Sequence, residues 1–262
     1  MKTRQTTLDS GDVLRAQGVV RSKGRFTLGP VNLTLHEGEI MAVVGASGCG
    51  KSSLLRAMAG MVKLDRGSVV FEDRRLDKLG EAALASLRSS QFAFIFQDYM
   101  LLENLSIAEN VALPAAVRGE RMEMDRIRRS VACVGLQEKA LDTPVTNLSG
   151  GQQQRVAIAR ALAIGAQVLF ADEPTGNLDP KSRDDVVSTI RTSMNAGLRS
   201  VLIVAHDPVV AAAADRIVFM QDGRIVREFP QGLQTRQVEE LLLGRAPARP
   251  QTFGGARPVM SR

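Results

Sequence analysis

A glycine-rich stretch that ends in a lysine and a serine is the first part of the sequence suited to chemistry. Gly45–Ser52, the phosphate loop, reads GASGCGKS and fits the spacing G-x-x-x-x-G-K-[ST]. Glycines let the backbone curl so that its N–H groups face phosphate oxygens, while Lys51 can reach the β- and γ-phosphates and the Ser52 hydroxyl can ligate Mg²⁺. The residues expected to bind the phosphates of a nucleotide are Gly45, Ala46, Ser47, Gly48, Cys49, Gly50, Lys51, Ser52 and Ser53.

Two adjacent carboxylates and a histidine add the groups that hydrolysis needs. Asp172 and Glu173 directly follow an apolar run, Val168–Ala171. In a phosphoryl-transfer site the first carboxylate can serve Mg²⁺ and the second can polarise the attacking water. Taken alone, the pair also fits a solvated acidic turn. His206 follows a second apolar run, Val201–Ala205, and we hypothesise that it contacts the γ-phosphate, although a lone histidine there also fits ordinary loop chemistry.

Short apolar runs predict the strands that must position these groups. The runs are Ile40–Val44, Phe92–Phe96, Val168–Ala171 and Val201–Ala205. Turns and helical patterns after them favour an α/β fold with a largely parallel sheet. The carboxyl edge of such a sheet is where ligands bind, so the phosphate loop, the acid pair and His206 are expected to meet there. Gly67–Asp73 and a hairpin at Arg216–Glu228, which turns at Asp222-Gly223, predict antiparallel strands beside this core.

The middle of the chain is predicted to be an inserted helical subdomain. Strand patterns vanish between Leu101 and Ala163, and Ser106 with Glu109 forms a helix-capping pattern. We therefore predict one folded domain at 13–243, with its helical subdomain at about 98–163. Residues 1–12 are interpreted as a tail, and residues 244–262, rich in Pro, Gly and Arg, as a disordered basic tail.

A second glycine pair lies inside that subdomain. Leu148–Leu162 reads LSGGQQQRVAIARAL, in which Ser149 can cap a helix that starts with Gly150 and Gly151. A helix N-terminus with a hydroxyl and two glycines is suited to binding an anion. Because the chain already has one phosphate loop, this second anion site makes sense if it closes on a nucleotide held by a partner subunit.

These stretches resemble the ABC (ATP-binding cassette) ATPase family over about residues 13–229. The signature stretch, Leu148–Gln152, matches the family's signature sequence, which is highly specific in combination with the phosphate loop. The resemblance implies a P-loop NTPase with a RecA-like parallel core, antiparallel strands and a helical subdomain. It also implies an ATPase that works as a head-to-tail dimer. Each of two Mg-ATP molecules would lie between the phosphate loop of one subunit and Ser149, Gly150, Gly151 and Gln152 of the other.

The same resemblance implies roles for individual residues. Glu173 matches the general base, Asp172 the Mg²⁺ acid and His206 the switch histidine. Gln97 resembles the glutamine that joins the catalytic core to the helical subdomain and senses Mg²⁺ and the permease. It is expected to contribute to catalysis and, with Ser52 and Asp172, to bind Mg²⁺. Asp179, in GNLD, resembles the loop residue that crosses the dimer interface, although with Pro180 next to it Asp179 also fits a helix N-cap.

One position departs from the family pattern. The family usually stacks an aromatic ring on adenine, and the matching place here is near Ser22, which is not aromatic. Phe26 is the nearest ring and is a candidate for stacking, with a place in the core as the alternative.

Composition restricts where the chain works. No apolar stretch reaches the roughly 18 residues of a membrane helix, and the start of the chain lacks the pattern of a secretory signal. Of the net charge of +6, residues 1–25 and 244–262 carry +4 each, so the body between them is close to neutral and is not expected to bind nucleic acid. We expect a peripheral subunit at the cytoplasmic face of the inner membrane, bound to separate permease chains.

Two sequence stretches indicate a subgroup within this family. QDYMLLENLSIAENVALP at Gln97–Pro114 and ADEPTGNLD at Ala171–Asp179 resemble the ATPases of lipoprotein release, macrolide export and antimicrobial-peptide resistance, and the ATPase of the bacterial cell-division pair. An exporter motor is therefore the main hypothesis. The alternatives are a non-transport ABC ATPase acting mechanically or on nucleic acid or ribosomes, and a regulatory partner that binds ATP without hydrolysing it. The last should lack equivalents of Glu173 or His206, and both are present.

Overall fold

The computed structural model describes residue 8 and residues 10–244 of the 262-residue chain. Within that part the chain forms two sheets and eight α-helices. The strands are β1 (Asp12–Lys23), β2 (Phe26–His36), β3 (Ile40–Val44), β4 (Arg66–Phe71), β5 (Arg74–Arg75), β6 (Phe92–Phe96), β7 (Val168–Asp172), β8 (Ser200–Val204), β9 (Arg216–Gln221) and β10 (Arg224–Phe229). The helices are α1 (Lys51–Met58), α2 (Glu81–Gln91), α3 (Ile107–Val117), α4 (Met124–Cys133), α5 (Gly150–Ile164), α6 (Pro180–Met194), α7 (Pro208–Ala212) and α8 (Thr235–Leu242).

A six-stranded sheet forms the centre of the fold, in the order β10-β9-β3-β8-β7-β6. β9, β3, β8, β7 and β6 run parallel, and β10 is antiparallel to β9. Every residue of β3 and β8 is buried, because helices and the second sheet cover both faces. That burial explains the unbroken apolar runs, and it confirms the predicted parallel core with the hairpin at its margin.

A second, antiparallel sheet has the order β2-β1-β4-β5. Its apolar face packs with α1 and one face of the parallel sheet into a single hydrophobic cluster. β4 confirms the antiparallel strand predicted at Gly67–Asp73. The two long strands β1 and β2 were not predicted, since bulges interrupt their pairing and adjacent apolar residues, such as Val19 and Val20, break the alternation.

The helical subdomain contains α3, α4 and α5, which pack on each other. Between Leu101 and Ala163 the only strand-like pairing in the described chain is one bridge, Ser106 with Pro144. Ser106 caps α3 with the predicted capping box: its hydroxyl accepts from the Glu109 N–H, and its own N–H donates to the Glu109 carboxylate. The helical character predicted for this segment is therefore confirmed.

The ends of the predicted domain fall at the limits of the described residues. Of the two predicted tails, most of 1–12 and all of 244–262 except Gly244 lie outside them. α8 ends at Leu242, next to the predicted boundary at 243, and the domain limits stay predictions. No helix within residue 8 and residues 10–244 has the length and apolar character needed to cross a bilayer.

Candidate functional site

Four neighbouring parallel strands bring the predicted groups to one edge of the sheet. β3, β8, β7 and β6 are consecutive in the sheet, and all four end at the same edge. The residues that follow these ends are Gly45, His206, Glu173 and Gln97. Residues far apart in the sequence thus lie side by side because parallel strands share a carboxyl edge.

Close packing explains the glycines of the phosphate loop. Gly45 and Gly50 have φ of 154° and 107°, which side chains disfavour. A Cβ on Gly45 would lie 2.2 Å from the carbonyl oxygen of Met220, and one on Gly50 would lie 2.5 Å from Cζ of Phe26. The loop therefore lies directly against β9 and β2, and only glycine fits at these two positions.

Lys51 places a buried positive charge at the loop. The residue is 6% exposed, and Nζ donates hydrogen bonds to the carbonyl oxygens of Gly45 at 2.8 Å and Ala46 at 3.1 Å. A buried ammonium that is satisfied by carbonyls alone favours the approach of an anion. The geometry therefore fits a lysine that exchanges these contacts for phosphate oxygens.

Ser52 and Asp172 are the groups suited to hold Mg²⁺. The Ser52 hydroxyl donates to Oδ1 of Asp172 at 2.9 Å. Burial raises the pKa of Asp172, and the Ser52 hydrogen bond and the charge of Arg56 oppose that rise. Hydroxyl and carboxylate oxygens are hard ligands of the kind that Mg²⁺ prefers. In the described part of the chain no group of three or more His, Cys, Asp or Glu can hold a metal, which fits an ion held mostly by phosphates and water.

Glu173, the second residue of the acid pair, contacts His206. Nδ1 of His206 lies 3.2 Å from Oε2 of Glu173, and both side chains are partly exposed. Glu173 has φ of 52°, in the left-handed region, and its N–H donates to the Val204 carbonyl at 2.9 Å. β7 already ends at Asp172, so the left-handed backbone of Glu173, rather than strand alternation, separates the two carboxylates.

Gln97 is linked to the loop that follows Glu173. Its Nε2 donates to Oδ1 of Asn177 at 3.0 Å. A Cβ on Gly176 would lie 3.2 Å from the same nitrogen, so this glycine gives the glutamine room. The structure therefore places Gln97 at the predicted edge, where it joins β6 to the segment after β7.

The signature stretch starts α5 as predicted. The Ser149 hydroxyl accepts from the Gln152 N–H at 3.3 Å, and the Ser149 N–H donates to the Gln152 side chain at 2.9 Å. A Cβ on Gly150 would lie 2.7 Å from the Tyr99 hydroxyl oxygen, and one on Gly151 would lie 2.9 Å from Cβ of Ser182. Both glycines thus allow close packing within the subunit as well as leaving the helix N-terminus open.

Asp179 caps α6 in this structure. Its Oδ1 accepts from the N–H groups of Lys181 and Ser182, both at 3.1 Å. Hydrogen bonds from Ser182 lower the pKa of Asp179. Among the hydrogen bonds of the described residues, none joins Ser149–Gln152 to the phosphate loop. Within the described residues, the phosphate loop and the N-terminus of α5 are therefore two candidate anion sites without a direct hydrogen bond between them.

Phe26 covers the phosphate loop. Its ring lies against Gly50, and it packs against the hydrophobic cluster under the antiparallel sheet. Ser22, at the place where the family pattern has an aromatic residue, is exposed, and its N–H donates to Asp65. The role of Phe26 in adenine stacking stays a prediction.

Sequence reasoning missed Tyr99 and Arg160, which hold the loop after Gln97. Tyr99 and Met100 have φ of 56° and 48°, and Arg160 of α5 donates to their carbonyl oxygens at 3.3 and 2.8 Å. Burial lowers the pKa of Arg160 and raises that of Tyr99. The only tyrosine in the sequence was a visible signal, but nothing in its surroundings indicated the contact with Gly150.

Comparison with known proteins agrees with this geometry. The profile of the ABC transporter family matches residues 28–176. The chain is 40% identical over 235 residues to the macrolide export ATP-binding/permease protein MacB of Salmonella choleraesuis, covering 88% of this chain and 36% of that protein. It is 41% identical over 262 residues to the protein of the same name from Burkholderia pseudomallei, covering 97% and 38%. The chain thus spans little more than a third of the length of these relatives.

Solved structures give the same result for the fold. The ATP-binding cassette MJ0796, a dimer in a post-hydrolysis state bound to ADP and Pi, matches with a TM-score of 0.73 and 31% identity, covering 84% of this chain and 100% of that chain. The cbiO1 protein of Clostridium perfringens, part of the ABC transporter complex cbiONQ, matches with a TM-score of 0.76 and 26% identity, covering 88% and 91%.

Proposed function

Since the chain belongs to the ABC transporter family, we propose that it is the Mg-ATP-hydrolysing motor of a membrane exporter. The observation that carries the proposal is the meeting of Lys51, Ser52, Asp172 and Glu173 at one sheet edge, beside the glycine-rich phosphate loop. These are the groups that binding and hydrolysis of a nucleoside triphosphate require.

The chemistry follows from the positions of these groups. The ammonium of Lys51 and the loop amides bind the β- and γ-phosphates. Ser52 and Asp172 would hold Mg²⁺, which would supply positive charge against the charge that develops on the phosphates. Glu173 accepts the proton of the attacking water, and His206, 3.2 Å from its carboxylate, orients that carboxylate and contacts the γ-phosphate.

The active form is a head-to-tail dimer. Ser149, Gly150 and Gly151 of one subunit close on the ATP held by the phosphate loop of the other. The open N-terminus of α5 and its lack of a hydrogen bond to the phosphate loop in the described chain support this arrangement. The matched MJ0796 structure, which is a dimer, supports it as well.

The permease docks in an apolar groove beside the loop after Gln97. The groove has a volume of about 440 Å³, and Phe94, Phe96, Met100 and Pro114 are among its lining residues. Met100 is 61% exposed, which is costly for a large apolar side chain unless a partner covers it. An apolar segment of the permease that fills this groove reaches the backbone that carries Gln97, so docking and the state of the ATP site are linked.

Export is proposed as the direction because the relatives named above carry that activity in their names. The experiment that tests the proposal measures steady-state phosphate release by the full chain with ATP, in Mg²⁺ and in EDTA, and identifies membrane proteins that co-purify with it. Mg²⁺-dependent turnover and an integral membrane partner are expected. Absence of turnover, or recovery of ribosomes or DNA alone, would contradict the proposal.

A further inference from the structure

Gln154 is a completely buried polar side chain on the helix that begins with the signature stretch. It is 0% exposed, and its Nε2 donates to the carbonyl oxygen of Pro174 at 2.6 Å. Pro174 directly follows Glu173. The bond therefore connects α5 of the helical subdomain to the residue after the proposed general base.

The Pro174 carbonyl depends on this one contact. Pro174 is buried, and in the described chain the Gln154 amide is its only hydrogen-bond donor. Two hydrogen bonds hold the rest of the turn. The Glu173 N–H donates to the Val204 carbonyl at 2.9 Å, and the Gly176 N–H donates to the Glu173 carbonyl at 3.2 Å. Because Glu173 is in the left-handed region, its conformation persists only if its neighbours are fixed on both sides. The Gln154 hydrogen bond fixes Pro174, the neighbour on the C-terminal side of Glu173.

Stability alone does not account for a glutamine at this position. Its Oε1 is buried and has no hydrogen-bond partner among the described residues, an arrangement that opposes folding. Val156, Ala157 and Ile158, which lie further along the same helix, are apolar and buried. An apolar side chain with a different turn after Glu173 would avoid the unpaired oxygen, so the glutamine serves the geometry of that turn.

We infer that Gln154 is a positioning residue, which holds Glu173 in place for attack by water through its hydrogen bond to the Pro174 carbonyl. The inference rests on the proposed role of Glu173 in ATP hydrolysis. Ser149 caps the same helix five residues earlier, about 7.5 Å along its axis. A shift of α5 when Ser149 engages the partner subunit's nucleotide therefore reaches the general base of its own subunit, and the two ATP sites are coupled through one side chain.

The test is a kinetic double-mutant cycle in the full chain. Gln154→Met keeps the size of the side chain and removes the donor, and it is expected to lower kcat about 10- to 100-fold. The KM for ATP should stay within about twofold, because Gln154 does not contact the phosphate loop. In a Glu173→Gln background the same substitution should change the residual single-turnover rate by less than about twofold, because Gln154 acts through Glu173.

Gln167→Met is the matched control. Gln167 precedes β7 at its other end, and its Nε2 donates to Oε1 of Gln91 at the same 2.6 Å. This variant loses that hydrogen bond and the one that Gln167 Oε1 accepts from Arg199 at 2.9 Å, both away from the site, and its kcat is expected to be unchanged. If Gln154→Met does not fold, Gln154→Leu, which also lacks a donor, should show the same loss of kcat.

The outcomes separate the inference from the proposed function. Wild-type turnover that is lost in Glu173→Gln but kept in Gln154→Met overturns the role of Gln154 alone. Equal losses from Gln154→Met with and without Glu173 also overturn it, since they indicate a general structural effect. A wild-type chain without turnover, or a fully active Glu173→Gln variant, overturns the proposed function instead.

Discussion

The Ser52 hydroxyl donates a 2.9 Å hydrogen bond to Oδ1 of Asp172, although 120 residues separate the two along the chain. The bond closes the phosphate loop onto β7, two strands away in the sheet. Both oxygens suit Mg²⁺, so the structure holds two of the proposed protein ligands of the ion in contact with each other.

Removal of the general base should stop turnover and preserve binding. Glu173→Gln keeps the shape of the side chain but cannot accept a proton, so phosphate release should fall about 100- to 10,000-fold. ATP-bound dimers should accumulate, as measured by size-exclusion chromatography with light scattering. Glu81→Gln, an exposed residue in the first turn of α2, is the control and should behave as wild type. Full activity in Glu173→Gln would refute its role.

A methyl group on the first signature glycine should disturb packing as well as activity. In Gly150→Ala the new Cβ meets the Tyr99 hydroxyl at 2.7 Å and Leu178 at 3.0 Å, so these side chains or the start of α5 must shift. ATPase activity should fall at least about tenfold. Gly80→Ala is the matched control, since Gly80 also precedes a helix but has open space around it. Similar activity in the two variants would show that the contact with Tyr99 is unimportant.

Charge introduced into the apolar groove should detach the chain from membranes. Met100→Asp places a carboxylate in the groove, where an apolar permease segment cannot pair with it, so co-sedimentation with membranes should be lost. ATP binding by the purified chain should remain. Met124→Asp, at an exposed position outside the groove, is the control. If both variants sediment with membranes like wild type, the groove is not the docking surface.

Asp12 should make the antiparallel sheet sensitive to acid. Burial alone raises the pKa of Asp12, but hydrogen bonds and charges of Arg15 and His36 outweigh it and hold the pKa below its ordinary value. Such a carboxylate stabilises the fold above its unfolded-state pKa and loses that effect as the pH falls through the folded-state pKa.

Asp12→Asn should therefore lower the free energy of unfolding by about 1–3 kcal/mol at pH 7, in line with the loss of hydrogen bonds to a charged group. The difference from wild type should shrink as the pH falls below about 4. Urea unfolding followed by circular dichroism measures both values. Asp73→Asn, at an exposed position, is the control. A constant difference at all pH values would contradict the assignment.

The parallel core was predictable because its strands are buried on both faces. Ile40–Val44 and Phe92–Phe96 were predicted with the bounds that the structure has, since burial leaves unbroken apolar runs. β1 and β2 were missed because one face of that sheet is partly exposed and bulges interrupt the register. The local signals for caps at Ser106, Ser149 and Asp179 were reliable, since a cap is set by neighbouring residues.

The site was predictable residue by residue where chemistry sets the residue type. A lysine and a hydroxyl after glycines, or two acids after a buried strand, have few other uses together. The supporting contacts were not predictable. Gln154 with Pro174 and Arg160 with Tyr99 depend on how α5 lies against the sheet, which no local pattern encodes. The left-handed backbone of Glu173 was also missed, because a glutamate gives no sign of it.

The central claim, that each ATP is held by two subunits, is tested most directly by mixed dimers in a Glu173→Gln background. One dimer carries Lys51→Ala and Ser149→Ala on the same subunit, and the other carries them on opposite subunits. The measurement is the number of ATP molecules retained per dimer after rapid gel filtration. Shared sites predict none in the first dimer, where each site is damaged once, and one in the second, where a single site takes both changes. One retained ATP in each dimer would mean that every subunit holds its nucleotide alone and would contradict the account.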